Sequence, residues 1–273
     1  MKIPGQKTMK QRFGEGEVLF GTFYKFNCEP IVEMLGMAGM DFIIIDAEHA
    51  AYSYWDMENM CRAANGVGMN AVIRVPNSSA EYILHAGDMG AQGIQVPNSK
   101  TLEEARAAAE SMRYAPFGTR GLGLTTRGSG YCLGGSYTDS DSYVHYVNND
   151  LLSVIMVENM AMAEQIEALC DIPQADVFFV GTGDLSQSCG VTGQTGHPAV
   201  QALVKKVVET VRAKGKIAGI YAGNLRDARK YVDMGFQYIG FSSDMNFIAE
   251  KLESVMTDIR EIKVMGGIAR ACR

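Results

Sequence analysis

What the chain lacks narrows it first. Its six cysteines (Cys28, Cys61, Cys132, Cys170, Cys189 and Cys272) form no Cys-x-x-Cys pair, so neither a zinc ribbon nor a thioredoxin-type dithiol is expected. A chain of 273 residues needs no disulfide staples, and the six read as reduced, mostly buried thiols. Positive charge is not in excess: 25 Lys and Arg stand against 31 Asp and Glu, a formal net charge of −6. That balance is unsuited to a nucleic-acid backbone, which calls for clustered Lys and Arg. No apolar run approaches the ~20 residues of a membrane span. The opening MKIPGQKTMKQRF carries no signal-like apolar stretch, so a cytoplasmic location is expected. No Gly-rich stretch follows a strand pattern at P-loop or dinucleotide spacing, so nucleotide cofactors are not indicated.

What is present is an ordinary globular composition, 47% hydrophobic and 21% charged, over a length usual for one α/β barrel. Short, nearly continuous apolar runs occur at 18–23, 42–46, 71–75, 93–97, 152–158, 177–181, 217–221 and 238–241. Such runs suit parallel strands covered on both faces. Helical patterns lie between them. The clearest is 198–214, where Val200, Leu203, Val204, Val207, Val208 and Val211 recur at helical spacing between Pro198 and Gly215. Segments 101–112 and 225–234 read the same way. Eight such alternations without a mid-chain linker predict one (β/α)8 barrel spanning 1–273 as a single domain. One segment breaks the rhythm: 114–150, rich in Gly, Ser, Thr and Asp, is expected as a long loop that either feeds strand five or covers the barrel mouth.

In this architecture chemistry sits at the carboxyl ends of the strands. Strand two ends in Asp46-Ala47-Glu48-His49, strand three in Arg74, strand four in Gln95, Pro97 and Asn98. Strand five ends in Glu158-Asn159, and strand six runs into Gly181-Thr182-Gly183-Asp184. Val154, Met156 and Glu158 share one face by period-two alternation. Two carboxylates on neighbouring strands, Glu158 and Asp184, can chelate one hard divalent cation. Each also has a plain structural reading: Glu158 as a hydrogen-bonded carboxylate, Asp184 as a helix N-cap. His49 is either a satisfied polar residue or a proton acceptor. Arg74 is either a structural ion pair or a bidentate carboxylate binder. His85, His145 and His197 look like helix or loop residues. A Schiff-base lysine is missing from strands five and six; Lys25, near the end of strand one, reads as a surface residue.

FIIIDAEHA, AVIRVP, GIQVPN, APFGTRGLG, VIMVEN and FFVGTGDLS, in this order, resemble the HpcH/HpaI aldolase family over roughly Val18 to Phe247. The resemblance implies a barrel of the phosphoenolpyruvate/pyruvate type and a class II, pyruvate-dependent aldolase acting on a small 2-oxo acid. It implies Mg²⁺, Mn²⁺ or Co²⁺ held by Glu158 and Asp184, with the substrate chelating through its carboxylate and keto oxygens. Arg74 would contact the enolate oxygen, and His49 would be the base, paired with Asp88. Asp46 and Glu48 would hold metal-bound water. Thr182, Gly183 and Asp184 would receive the substrate carboxylate.

The chain departs from the family pattern at Met156, where Gln is usual, at Thr182, where Pro is usual, and over 132–143, which is longer and richer in Gly and Ser. Two enzyme alternatives remain: a related carbon–carbon lyase such as a citryl- or malyl-CoA lyase, for which no basic cluster is seen, and a decarboxylase using the same enolate. A catalytically idle binding barrel is the alternative from outside enzymes. The resemblance also implies a homo-oligomer, a hexamer of three dimers that exchange the last helix. An apolar helical pattern at Phe247, Ile248, Leu252, Val255, Met256 and Ile259 offers a face for it.

Overall fold

The structure, a computed structural model, describes residues 1, 3–133, 137 and 139–271, with side chains to residue 263. Eight strands close into one parallel barrel in chain order. They are β1 (Leu19–Tyr24), β2 (Phe42–Asp46), β3 (Asn70–Arg74), β4 (Gly93–Val96), β5 (Leu152–Val157), β6 (Val177–Val180), β7 (Ile217–Ala222) and β8 (Tyr238–Ser243). The helices are α1 (Met9–Gly14), α2 (Glu29–Met37), α3 (Tyr54–Gly66), α4 (Ala80–Asp88), α5 (Leu102–Ser111), α6 (Ser140–Asn149), α7 (Met160–Glu164), α8 (Ile166–Cys170), α9 (Thr182–Ser188), α10 (Pro198–Ala213), α11 (Leu225–Met234) and α12 (Asp244–Ala271).

Strand alternation sorts the apolar residues into two cores. Leu19, Phe23, Phe42, Ile44, Val72, Leu152, Val154, Met156, Val177, Phe179 and Tyr238 fill the barrel interior. Ile43, Ile45, Ile73, Ile94, Ile155, Val157, Phe178, Val180 and Ile220 face the helices. Both sets are buried, which is why the strands read as continuous apolar runs. Glycines make room for the interior rings. A Cβ on Gly219 would lie 3.0 Å from Phe179 and 3.1 Å from Tyr238, and one on Gly21 would collide with the Phe42 ring. Helix α1 plugs the amino end of the barrel with Met9 and Phe13, whose ring lies 6.2 Å from that of Tyr238.

The expected loop at 114–150 is corrected in two ways. Residues 140–149 of it are helix α6, started by a capping box between Asp139 and Ser142. Its polar composition hid the buried face of Tyr143, Tyr146 and Val147. The preceding stretch packs against the outer helices and away from the mouth. Arg127 donates to the Met89 carbonyl at 2.8 Å, and Arg120 pairs with Asp88 at 2.7 Å at the end of α4. Part of 132–143 and Cys272 lie outside the described residues. The remaining five cysteines are free thiols; Cys61 and Cys170 are buried, whereas Cys132 is exposed.

Candidate active site

Parity carries a set of polar side chains into the carboxyl-end mouth. Asp46 follows Phe42 and Ile44, Arg74 follows Val72, and Glu158 follows Val154 and Met156, so each continues an inward-facing series. Asp46 is fully buried. Arg74 grips it with two nitrogens, Nε to Oδ1 at 2.9 Å and Nη2 to Oδ2 at 2.7 Å, and reaches Glu48 Oε2 with Nη1 at 2.9 Å. The Arg74 guanidinium lies 4.9 Å from the centre of the Phe23 ring. Burial alone would raise the Asp46 pKa. The hydrogen bonds and charge of Arg74, with Lys25 behind them, outweigh burial and hold the carboxyl below its ordinary value.

Glu158 sits on the other side of the mouth. Its Oε1 accepts the backbone N–H of Asn98, which the turn after β4 presents by placing Asn98 at φ 56°. Asparagine tolerates that left-handed conformation. Gly181 is pressed against the carboxylate: a Cβ there would lie 3.0 Å from Glu158 Oε2. Burial pushes the Glu158 pKa up to about 7; the charges of Glu48 and Asp184 add to that, against the Asn98 hydrogen bond and Arg74. The Glu48 pKa is raised as well, first by burial, with Asp46 and Asp184 contributing.

Asp184 is exposed in the first turn of α9. The N-cap is Gly181, with no side-chain cap bond, so Asp184 is not spent as a cap. Asp184, Thr182 and Gly183 line a cavity of about 340 Å³ together with Arg74, Met156, Phe179 and residues of β1, β7 and β8. Met156, at the position of the expected Gln, accepts a 3.4 Å hydrogen bond from Gln95 Nε2 through its sulfur, and Tyr238 donates to Gln95 Oε1 at 3.1 Å. A polar pair under the cavity floor thus persists without the second amide.

The site residues read from the sequence come together with one exception. Asp46, Glu48, His49, Arg74, Glu158 and Asp184 share the mouth. His49 is anchored by its backbone N–H to Asp46 Oδ1 at 3.2 Å; its ring is more than half exposed, with Nε2 3.8 Å from Glu48 Oε2. Asp88 is not beside it within this chain. It closes α4 and pairs with Arg120, whose side chain is 1% exposed. Asp46 and Glu48, expected to hold metal-bound water, both pair with Arg74.

Lys25, read from the sequence as a surface residue, lines the cavity, as do Ser243, Met245 and Asn246, which were not singled out. Lys25 was legible, since Gly21, Phe23 and Lys25 alternate inward. Ser243 was not, because a register shift between β1 and β8, with Ser242 at φ 52°, switches the facing of the strand end.

Among the described residues no three of His, Cys, Asp and Glu stand close enough to enclose a metal ion. The donor chemistry nevertheless fits a divalent cation bound with open positions. Glu48, Glu158 and Asp184 repel one another at the mouth, and a hard cation relieves that repulsion.

Fold and site define a (β/α)8 barrel with a carboxylate-rich site at its carboxyl-end mouth. The profile of the HpcH/HpaI aldolase/citrate lyase family matches residues 19–250, and the chain belongs to that family. A 2-dehydro-3,6-dideoxy-6-sulfogluconate aldolase of Pseudomonas putida is 27% identical over 92% of this chain and 96% of its own. A hydroxypyruvate/pyruvate aldolase of Roseobacter denitrificans is 30% identical over 91% of this chain and 95% of its own. The crystal structure of an HpcH/HpaI aldolase from Desulfitobacterium hafniense superposes with a TM-score of 0.87 at 24% identity, covering 94% of this chain and 98% of that one. Among the described residues no helix is long and apolar enough to cross a membrane.

Proposed function

We propose that the chain is a divalent-metal-dependent aldolase that reversibly cleaves a 4-hydroxy-2-oxo acid into pyruvate and an aldehyde. The observation that carries this reading is Arg74, rigidly held by Asp46 and Glu48 in the lining of one small cavity that Asp184 also lines, with the Glu158 carboxylate directly behind Gly181 of that lining. Glu158 and Asp184 would hold Mg²⁺, Mn²⁺ or Co²⁺. When bound, the cation polarises the 2-oxo group and offsets the charge that develops on it.

The chain's own residues account for the rest. Arg74 lines the cavity and stabilises the enolate oxygen with an N–H not given to Asp46 or Glu48. The backbone N–H groups at Thr182, Gly183 and Asp184 receive the substrate carboxylate. His49 takes the proton of the 4-hydroxyl, directly or through water. The C3–C4 bond then breaks, the aldehyde leaves, and the electron pair passes into the C2–C3 enolate, which is protonated at C3 to give pyruvate. Phe23, Phe179 and Met156 keep the floor apolar, which strengthens each of these interactions.

The assembly belongs to the same proposal: a homo-oligomer, with α12 exchanged between paired subunits in a hexamer. Ile248, Leu252, Val255, Met256 and Ile262 are exposed along α12 at helical spacing. An Asp88–His49 pair would then have to be built between subunits. The direct test of the activity is pyruvate release from a 4-hydroxy-2-oxo acid. It should require added metal, stop on chelation, and be abolished in Glu158→Ala with the fold intact by circular dichroism. Cleavage that survives chelation would reject the metal-dependent mechanism.

A further inference from the structure

Strand five ends in a pair, Glu158-Asn159, of which only Glu158 enters the proposed chemistry. Asn159 is committed at both ends of its amide. Its Oδ1 accepts the Met162 N–H at 2.9 Å and caps α7. Its Nδ2 donates to the Ser99 carbonyl at 3.1 Å, in the turn that follows β4.

That same turn serves Glu158. Asn98 stands at φ 56° and gives its N–H to Glu158 Oε1. Ser99, next in the chain, is fully buried, and its hydroxyl has no hydrogen-bond partner among the described residues. The side chain of Ser99 therefore does not hold the turn by a polar contact; its carbonyl does, through Asn159. One residue on, the Lys100 N–H bonds to Glu104 Oε2 at 2.7 Å and fixes the chain to α5. A left-handed residue with a Cβ needs such restraint. Asn tolerates the conformation better than most residues but still does not prefer it, and the surroundings must impose it. Released at Ser99, Asn98 would relax toward negative φ and draw its N–H off the carboxylate.

The consequence falls on Glu158. With Oε1 engaged, Oε2 is left. Oε2 is the oxygen against Gly181, where a Cβ would lie 3.0 Å from it, and Gly181 lines the cavity. We propose that Asn159 is a positioning residue for the metal site: by clamping the Ser99 carbonyl it keeps Asn98 left-handed and its N–H on Glu158, so that Glu158 offers Oε2 to the cation. The inference rests on the metal-dependent reading and adds to it how the carboxylate is aimed. An amide suits both tasks because it carries a donor and an acceptor on one short stem. A serine at 159 would still cap α7 but is too short to reach Ser99.

The test is Mn²⁺ binding to metal-stripped protein at pH 8, followed by titration calorimetry, with thermal melts of the same stripped samples. It compares wild type, Asn159→Ser, and Asn159→Ser combined with Asn98→Gly. Asn159→Ser should bind Mn²⁺ about tenfold more weakly, the scale on which partners of a metal ligand act, and melt at the wild-type temperature because the cap is kept. Adding Asn98→Gly should recover most of the affinity, since glycine takes the left-handed conformation without a clamp. Unchanged affinity in Asn159→Ser overturns the proposal while leaving the metal-dependent reading in place. A loss that Asn98→Gly does not recover assigns Asn159 to the α7 cap and overturns the proposal as well. A wild type that binds no Mn²⁺ overturns the metal-dependent reading, and this inference with it.

Discussion

Glu158 holds its proton too tightly for an ordinary carboxylate, and that has two measurable consequences. A carboxyl whose folded pKa lies near 7, against a reference of about 4.5, favours folding below the reference value. The advantage is lost as pH rises through 7, a cost on the order of 3 kcal/mol at alkaline pH. Metal-free Glu158→Gln should therefore melt a few degrees above metal-free wild type at pH 8, and the gap should close by pH 5; thermal melts of stripped protein at both pH values decide it. The same proton competes with metal. Mn²⁺ affinity in wild type should fall about tenfold per pH unit below 7 and level off above, as titration calorimetry would read. The His49 ring is more than half exposed. His49→Ala should lower kcat for cleavage by about 10²–10⁴-fold with pyruvate affinity little changed. Wild-type turnover in that variant would remove His49 from the mechanism.

At the scale of elements, the interior of the barrel is built from alternating bulk and absence. Gly21 on β1 lies against the Phe42 ring of β2 so closely that no Cβ fits. Gly21→Ala should destabilise by about 1–3 kcal/mol, since the ring must leave its rotamer; a chemical denaturation midpoint equal to wild type would contradict that packing. The strands were the most legible part of the sequence because both faces are apolar, and α11 (Leu225–Met234) was read to the residue. Legibility failed where the cause is not local. Helix α6 hides in a polar stretch and is held by contacts such as that of Arg113 Nη1 with the Val147 carbonyl at 2.9 Å. The end of β8 was read two residues short, and the bulge that turns Ser243 inward exists only in register with β1. In the site, Asp46, Arg74 and Glu158 were legible by parity and strand position. That Arg74 is gripped by Asp46 and Glu48 was not, because the grip depends on the β2–β3 register that sets Asp46 beside Arg74.

The whole molecule shows a closed barrel from which one long helix runs on with its apolar residues outward. Helix α12 extends to Ala271, and Leu252 and Ile262 are each more than half exposed. A face of that kind needs a covering surface. Truncation before Lys251 should disrupt assembly and activity together, with sedimentation and turnover as the paired readouts; a fully active monomer would count against an exchanged helix. The chemistry at the mouth reduces to one observation. In D₂O, wild-type protein supplied with Mn²⁺ or Mg²⁺ should exchange the methyl protons of pyruvate, seen as loss of the methyl proton signal in NMR. Exchange should cease on chelation and in Glu158→Ala. Exchange that persists in the stripped protein, or none in the metal-loaded wild type, would contradict the account.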